Sequence, residues 1–233
     1  MATLKAPKTI SKRKELRQDT AVTVFVRIQE FFYHNRTLAY GIAGAAALIL
    51  LVIAGYAYWQ SQRGVEAQNL LGGIVTVYEQ GEYRQALDGV GDNPGLLAIA
   101  EDYGRSEAGN MARFYAADAS FRLGEYDQAL AYFEAFDKGG HIVGASAWAG
   151  EAAIHEIQGN YARAGALYER AASQYEDALT SPLYLHNAGR SYEKAERYED
   201  ARDAYQRIRD RFPESTQARS IDYFLARVAA KIR

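Results

Sequence analysis

The sequence has no cysteine among its 233 residues, and it has only four prolines. Without cysteine the chain can form no disulfide, no zinc–thiolate site and no thiol nucleophile. Scarce proline suits long helices, because a proline inside a helix removes a hydrogen bond and clashes with the preceding turn. Alanine and the 18 tyrosines are abundant, which suits closely packed helices. The composition therefore favours an all-α protein that packing alone holds together.

Sequence motifs for catalysis are also missing. His155-Glu156 begins like a zinc-protease helix motif, but the residue four positions after His155 is Gly159, so the second ligand is absent. Gly89-Val-Gly91 lacks a third glycine and follows no predicted strand, and the sequence contains no GxSxG motif and no P-loop. The acidic residues are spread over predicted helix surfaces beside arginines, which is typical of solvated faces. The sequence thus predicts no enzyme, metal, cofactor or small-molecule substrate.

One long run has no charged side chain at all: Leu38 to Trp59, 22 residues. A helix that rises about 1.5 Å per residue crosses the roughly 30 Å hydrocarbon core of a bilayer over this length. The apolar region of a signal peptide is shorter, about 7–15 residues, and a core helix this apolar on all sides would need a large protein around it. We therefore predict a transmembrane helix at 38–59 that separates an N-terminal segment, 1–37, from a domain, 60–233.

The charges on the two sides of this run are unequal. Eight Lys and Arg residues but only three Asp and Glu residues precede it, which leaves 19 basic and 26 acidic residues after it, a net charge of −7. Lys and Arg are retained on the cytoplasmic side of a membrane. The segment 1–37 is therefore predicted to be cytoplasmic and the domain 60–233 to lie outside. The acidic charge of that domain argues against nucleic acid as a partner.

A short pattern recurs four times after the apolar run: a turn, a tyrosine and then an alanine. The four units are Gly81-Glu-Tyr83 with Ala86, Gly124-Glu-Tyr126 with Ala129, Gly159-Asn-Tyr161 with Ala164, and Glu196-Arg-Tyr198 with Ala201. The alanines lie 43, 35 and 37 residues apart, and a period near 34 indicates tetratricopeptide helix pairs. Glycine can take the left-handed conformation that ends the first helix, and alanine lets the second helix approach it closely. Residues 66–213 thus resemble the tetratricopeptide family, which predicts an α-solenoid. Together with the apolar run, the sequence predicts an all-α protein in which a single transmembrane helix is followed by this solenoid.

Two segments fall outside the regular period. The first spacing, 43 residues, implies an insertion with a turn at Asp92-Asn-Pro-Gly95, followed by a short helix from Leu96 to Tyr103. The stretch from Ser215 to Arg233 places Ile221, Phe224, Leu225 and Val228 on one helical face beneath a possible Ser215 cap. We predict that it forms a terminal helix covering the apolar side of the last repeat.

The first helices of stacked repeats line a concave face, and we predict that partners bind there. The predicted binding residues are Met111, Phe114, Asp118 and Phe121 in the second repeat, and His186 and Arg190 in the fourth. A strip of Met and Phe suits extended or partly folded polypeptide, and we expect this strip to be separate from the packing face marked by Ala117. The alternative is that Phe114 and Phe121 belong to the core.

Three segments resemble the YfgM family of single-pass bacterial inner-membrane proteins with a periplasmic tetratricopeptide-like domain: Val26 to Gly44, Tyr58 to Ser61, and Ile99 to Ala116. The resemblance implies a cytoplasmic N-terminus, a periplasmic domain, and an ancillary role at the SecYEG translocon with periplasmic chaperones and emerging polypeptides. It transfers no individual site residue. The alternative is a structural scaffold subunit of another envelope-assembly complex.

Overall fold

The computed structural model describes residues 36–232. The predicted cytoplasmic segment, 1–37, lies outside this range except for its last two residues. The chain divides into two compact units, Met1–Trp59 and Gln60–Arg233. The helices are α1 (Arg36–Glu79), α2 (Tyr83–Asp88), α3 (Leu96–Asp102), α4 (Glu107–Arg122), α5 (Tyr126–Ala135), α6 (Ile142–Ile157), α7 (Tyr161–Gln174), α8 (Ser181–Lys194), α9 (Tyr198–Arg211) and α10 (Ile221–Ala229).

The part of α1 in the first unit exposes apolar side chains on every side. Its large hydrophobic residues are between 51% and 74% exposed. Exposed apolar surface costs about 25 cal/mol per Å² in water, so apolar surroundings would stabilise this part of α1. Within residues 36–232, α1 is the helix that is long and apolar enough to cross a membrane.

The second unit consists of helix pairs that follow the predicted repeats. The pairs are residues 66–79 of α1 with α2, then α4 with α5, α6 with α7, and α8 with α9. The residue at each turn has a positive φ angle: +85° at Gly81, +80° at Gly124, +79° at Gly159 and +59° at Glu196. The alanine that follows each turn is fully buried. The predicted left-handed turns and close-approach alanines are confirmed.

A common hydrogen-bond pattern closes these turns. After Gly124, the N–H of Glu125 donates to the carbonyl of Ser120 at 2.9 Å, and after Glu196 the N–H of Arg197 donates to the carbonyl of Tyr192 at 2.9 Å. In each case the N–H donates to the carbonyl five residues earlier, which lies at the end of the first helix and has no partner within that helix. This hydrogen bond forms only when the residue before the donor is in the left-handed conformation.

The insertion differs from a simple turn. Gly89–Val90 (β1) and Asn93–Pro94 (β2) pair as a minimal antiparallel hairpin. Gly89 has φ +102°, and a side chain there would come within 2.6 Å of the carbonyl oxygen of Asn93, so the pairing requires glycine. The hairpin ends α2 after six residues. The predicted short helix that follows it is confirmed as α3.

The terminal helix covers the fourth repeat as predicted. Ile221 and Val228 are 2% and 0% exposed and belong to the same core cluster as Tyr205 of α9. Ser215 does act as a cap, since its hydroxyl accepts the N–H of Ala218 at 3.2 Å. It caps a short 3-10 helix, Gln217–Ser220, and α10 begins directly after that helix.

Candidate partner-binding surface

Polar side chains connect the first helices of successive repeats along one side of the second unit. We call this side the first-helix face. It consists of Asp118 and Arg122 on α4, Glu156 on α6, Arg190, Glu193 and Lys194 on α8, and Arg227 on α10. Each carboxylate in this set holds at least one cation, so the helices are linked by charge as well as by packing.

The first link joins repeats one and two. The hydroxyl of Tyr78 donates a short hydrogen bond to Oδ2 of Asp118, which also accepts Nε of Arg122 at 2.5 Å. Burial, and secondarily the bond to Asp118, raises the pKa of Tyr78 far above its ordinary value. The tyrosine hydroxyl therefore remains a donor at physiological pH and holds the carboxylate in place.

The second link joins repeats three and four. Oε1 of Glu156 lies 2.6 Å from Nζ of Lys194 and 3.9 Å from Nη2 of Arg190. One carboxylate thus serves two cations, and this part of the face carries a net positive charge. Ala149 and Ala153 are the small first-helix residues on the α6 side of this group.

The third link joins repeat four to the terminal helix. Oε1 of Glu193 accepts the hydroxyl of Tyr205 at 2.7 Å and Nη2 of Arg227 at 2.6 Å, while its Oε2 accepts Nε of Arg227 at 2.9 Å. Such a two-pronged arginine–carboxylate pair is stronger and more directional than a single contact. It anchors α10 to the repeat beneath it.

His186 packs under this third link. Its ring lies 4.8 Å from the ring of Phe224 and 6.0 Å from that of Tyr205, between centroids. Burial lowers the pKa of His186; Arg190 and Arg227 lower it further, and Glu193 opposes them. The imidazole is held in its neutral form and contributes aromatic packing to the terminal interface.

The structure corrects the predicted apolar strip. Met111, Phe114 and Phe121 are half-buried and pack against the core cluster that contains Ala117. The ring of Phe114 lies 5.7 Å from that of Phe136. The prediction that this strip is separate from the Ala117 packing face is wrong, because Ala117 follows Phe114 by three residues and so shares its side of the helix.

The six predicted binding residues thus fall into two groups. Asp118 and Arg190 lie on the first-helix face and His186 packs directly beneath it, whereas Met111, Phe114 and Phe121 pack against the core cluster to which α4, α5 and α6 contribute. Sequence reasoning missed Lys194, although it lies four residues after Arg190 and therefore on the same helical face. It also missed Arg227, which reaches Glu193 from a separate element.

Two histidines outside this face have structural positions. Nδ1 of His141 accepts the N–H of Gly144 at 3.2 Å and so caps the start of α6. His155, from the incomplete zinc motif, lies near the end of α6. Among residues 36–232, no group of three or more His, Asp and Glu side chains is arranged to hold a metal ion.

A comparison with protein families supports the repeat assignment. The tetratricopeptide repeat family matches residues 111–138 and 184–215, which cover the pairs α4–α5 and α8–α9. No curated protein sequence gave a significant match. The intervening pair, α6–α7, has the same left-handed turn at Gly159 and the same buried alanine at Ala164. The chain is therefore a protein that contains tetratricopeptide repeats, the helical repeat through which proteins bind other proteins.

Proposed function

We propose that the chain is a membrane-anchored adaptor or holdase that binds polypeptides or partner proteins through its first-helix face. The observation that carries this proposal is the row of cations on α8 and the terminal helix α10: the side chains of Arg190, Lys194 and Arg227 are 46%, 43% and 40% exposed. Repeats of this kind stack into extended binding surfaces. The function is therefore recognition rather than chemical transformation.

Residues 38–59 of α1 anchor the protein in the inner membrane of a bacterium, crossing it once. The exposed leucine, isoleucine and valine side chains on this part of α1 support a lipid environment. The eight basic residues that precede the run support a cytoplasmic N-terminus. The repeats then lie in the periplasm, where a domain without cysteine needs no oxidative folding step.

The partners are the Sec translocon, periplasmic chaperones and polypeptides that emerge from the membrane. The resemblance of three sequence segments to the YfgM family supports this choice. A repeat domain tethered to the membrane would meet such polypeptides early, before they fold. No cofactor or small-molecule substrate is required.

Protease accessibility tests the orientation. Protease added outside spheroplasts is expected to digest the repeats while sparing an N-terminal fragment that ends near the apolar run. An epitope tag at each terminus reports the two sides separately. Protection of the repeats in intact spheroplasts, with digestion only after lysis, would contradict the orientation and the periplasmic location together.

Co-purification in mild detergent tests the partners. We expect translocon subunits and periplasmic chaperones to co-purify with the full chain. A matched control replaces residues 38–59 with an unrelated membrane helix of equal length, and it should retain the same partners, because the repeats rather than the anchor bind them. Recovery of cell-wall or outer-membrane assembly proteins instead would favour the scaffold function.

A further inference from the structure

The ion pairs of the first-helix face share an unequal exposure. The cation is always the outer partner: its side chain is 40–49% exposed, while that of its carboxylate is only 17–24% exposed. The pairs are Arg122 with Asp118, Arg190 and Lys194 with Glu156, and Arg227 with Glu193. A molecule that approaches this face therefore meets positive charge first.

The carboxylates in the ion pairs that involve the second helices are less recessed. Glu125, Glu169, Glu176 and Asp200 are 32–42% exposed, although the arginine is still the more exposed partner in each pair. Asp203 is 61% exposed beside an Arg202 that is 38% exposed, and Asp210 is 63% exposed beside an Arg209 that is 50% exposed. The second unit as a whole carries a charge of −7. The deeply recessed carboxylates, 17–24% exposed, are thus what distinguishes the first-helix face from the second helices.

A tyrosine hydroxyl supports the recessed position of Glu193. Tyr205 donates to Glu193 at 2.7 Å, which draws the carboxylate inward and leaves Arg227 above it. One repeat earlier, burial, with Glu156 contributing, raises the pKa of Tyr168 to about 12. A carboxylate can accept hydrogen bonds from a tyrosine on its buried side and from an arginine on its exposed side at the same time. It can therefore be recessed without losing hydrogen bonds.

The arrangement repeats along the chain. The tyrosines Tyr168 and Tyr205, the glutamates Glu156 and Glu193, and the arginines Arg190 and Arg227 are each separated by 37 residues. The same three residue types therefore recur in two successive repeats, and each arginine comes from the second helix after that of its glutamate. Arg227 lies 2.6 Å from Glu193, whereas Arg190 lies 3.9 Å from Glu156.

We propose that this row of cations binds an acidic, extended segment of the partner polypeptide. The proposal rests on the proposed function, because it names the chemistry of what the first-helix face binds. An extended chain advances about 3.3 Å per residue, so carboxylates at every third residue recur about every 10 Å and can meet cations on successive elements. Each peptide carboxylate meets an arginine whose own carboxylate is recessed, and it gains a charge-assisted hydrogen bond.

Fluorescence anisotropy with the full chain in phosphatidylcholine nanodiscs tests this proposal. The probes are three labelled peptides of equal length that carry Glu, Gln or Lys at every third position. We expect the Glu peptide to bind at least about tenfold more tightly than the Gln peptide at low salt, and added salt to reduce the difference, because exposed charges are screened.

Two matched variants locate the site. Replacing Arg190 and Lys194 together with Gln is expected to weaken binding of the Glu peptide about tenfold, whereas replacing Arg202 and Arg209 with Gln, an equal charge change on α9, should alter it less than about twofold. Arg190→Lys combined with Lys194→Arg keeps the charge and should keep the affinity. Melting temperatures of all three variants show that they fold.

The possible failures are separable. Equal binding of the three peptides would overturn the acidic preference and leave the proposed function intact. Binding of none of them would overturn both. The preference for the Glu peptide could instead persist when Arg190 and Lys194 are replaced and be lost when Arg202 and Arg209 are replaced. That result would place the acidic-peptide site on the second helices and overturn the proposal.

Discussion

Glu196 occupies the left-handed turn position at which the other three repeats have glycine. Its φ angle is +59°, a conformation that costs an L-residue about 1–2 kcal/mol. The Glu196→Gly variant is expected to be more stable than the wild type by about 0.5–1 kcal/mol, since the relief of strain exceeds the added backbone entropy of the unfolded glycine. Urea unfolding of the full chain in detergent measures the change.

A glycine placed one turn later serves as the control for this prediction. Glu199 is exposed and lies within α9, so Glu199→Gly should destabilise the protein by about 0.5–1 kcal/mol. Both substitutions replace a glutamate with glycine, but they are expected to change the free energy of unfolding in opposite directions. A loss of stability in both variants would show that the conformation at residue 196 is not strained.

His186 predicts a pH dependence of stability. Its pKa is lower in the folded protein than the ordinary value of 6.5, chiefly through burial, so the unfolded state binds more protons between these two values. The free energy of unfolding therefore rises with pH across that window, and it falls as the pH is lowered below 6.5.

His186→Phe isolates this contribution because it keeps a ring against Phe224 and removes the titration. Between about pH 7.5 and about pH 5.5, we expect the free energy of unfolding to fall less in the variant than in the wild type. Urea unfolding of both proteins at each pH measures this difference. Parallel curves for the two proteins would mean that other groups account for the pH dependence.

At the scale of single elements, the apolar side chains of α4 pack mainly into the core. Phe114 lies among Phe133 and Phe136 of the second pair. Phe114→Ala is therefore expected to destabilise the protein by about 2–3 kcal/mol, somewhat less than a fully buried phenylalanine would cost. Partner capture by the variant should be unchanged at temperatures where it is folded.

Melting temperature and pull-down yield measured on the same Phe114→Ala protein decide this point. Arg122→Gln, on the outer side of the same helix, serves as its counterpart because its side chain is 49% exposed. It should change stability by less than about 0.5 kcal/mol. Loss of capture with an unchanged melting temperature in the phenylalanine variant would return Phe114 to the binding surface.

The helix pairs were predictable because a fixed spacing of small and turn-forming residues specifies them locally. The hairpin at Gly89–Val90 was not, because two-residue strands have no periodicity. The position of Phe114 could have been derived from its three-residue spacing to Ala117. The recessed position of Glu193 could not, since its partners Tyr205 and Arg227 come from two other helices.

At the scale of the whole molecule, the chain combines one long apolar helix with a unit of tetratricopeptide repeats. The apolar helix segment and the first-helix face are separate in sequence, so each can be altered without changing the residues of the other. The acidic charge of the second unit favours solubility, while its first-helix face keeps its cations outermost. Specificity would then come from local charge placement rather than from net charge.

Site-specific photo-crosslinking in intact cells tests the central claim, binding through the first-helix face, most directly. A photoreactive residue at Ala153, on α6 beside the cation row, is compared with one at Asp203, which is 61% exposed on α9. We predict polypeptide adducts from position 153 and few or none from position 203. Adducts from position 203 alone, or equal adducts from both positions, would contradict binding through the first-helix face.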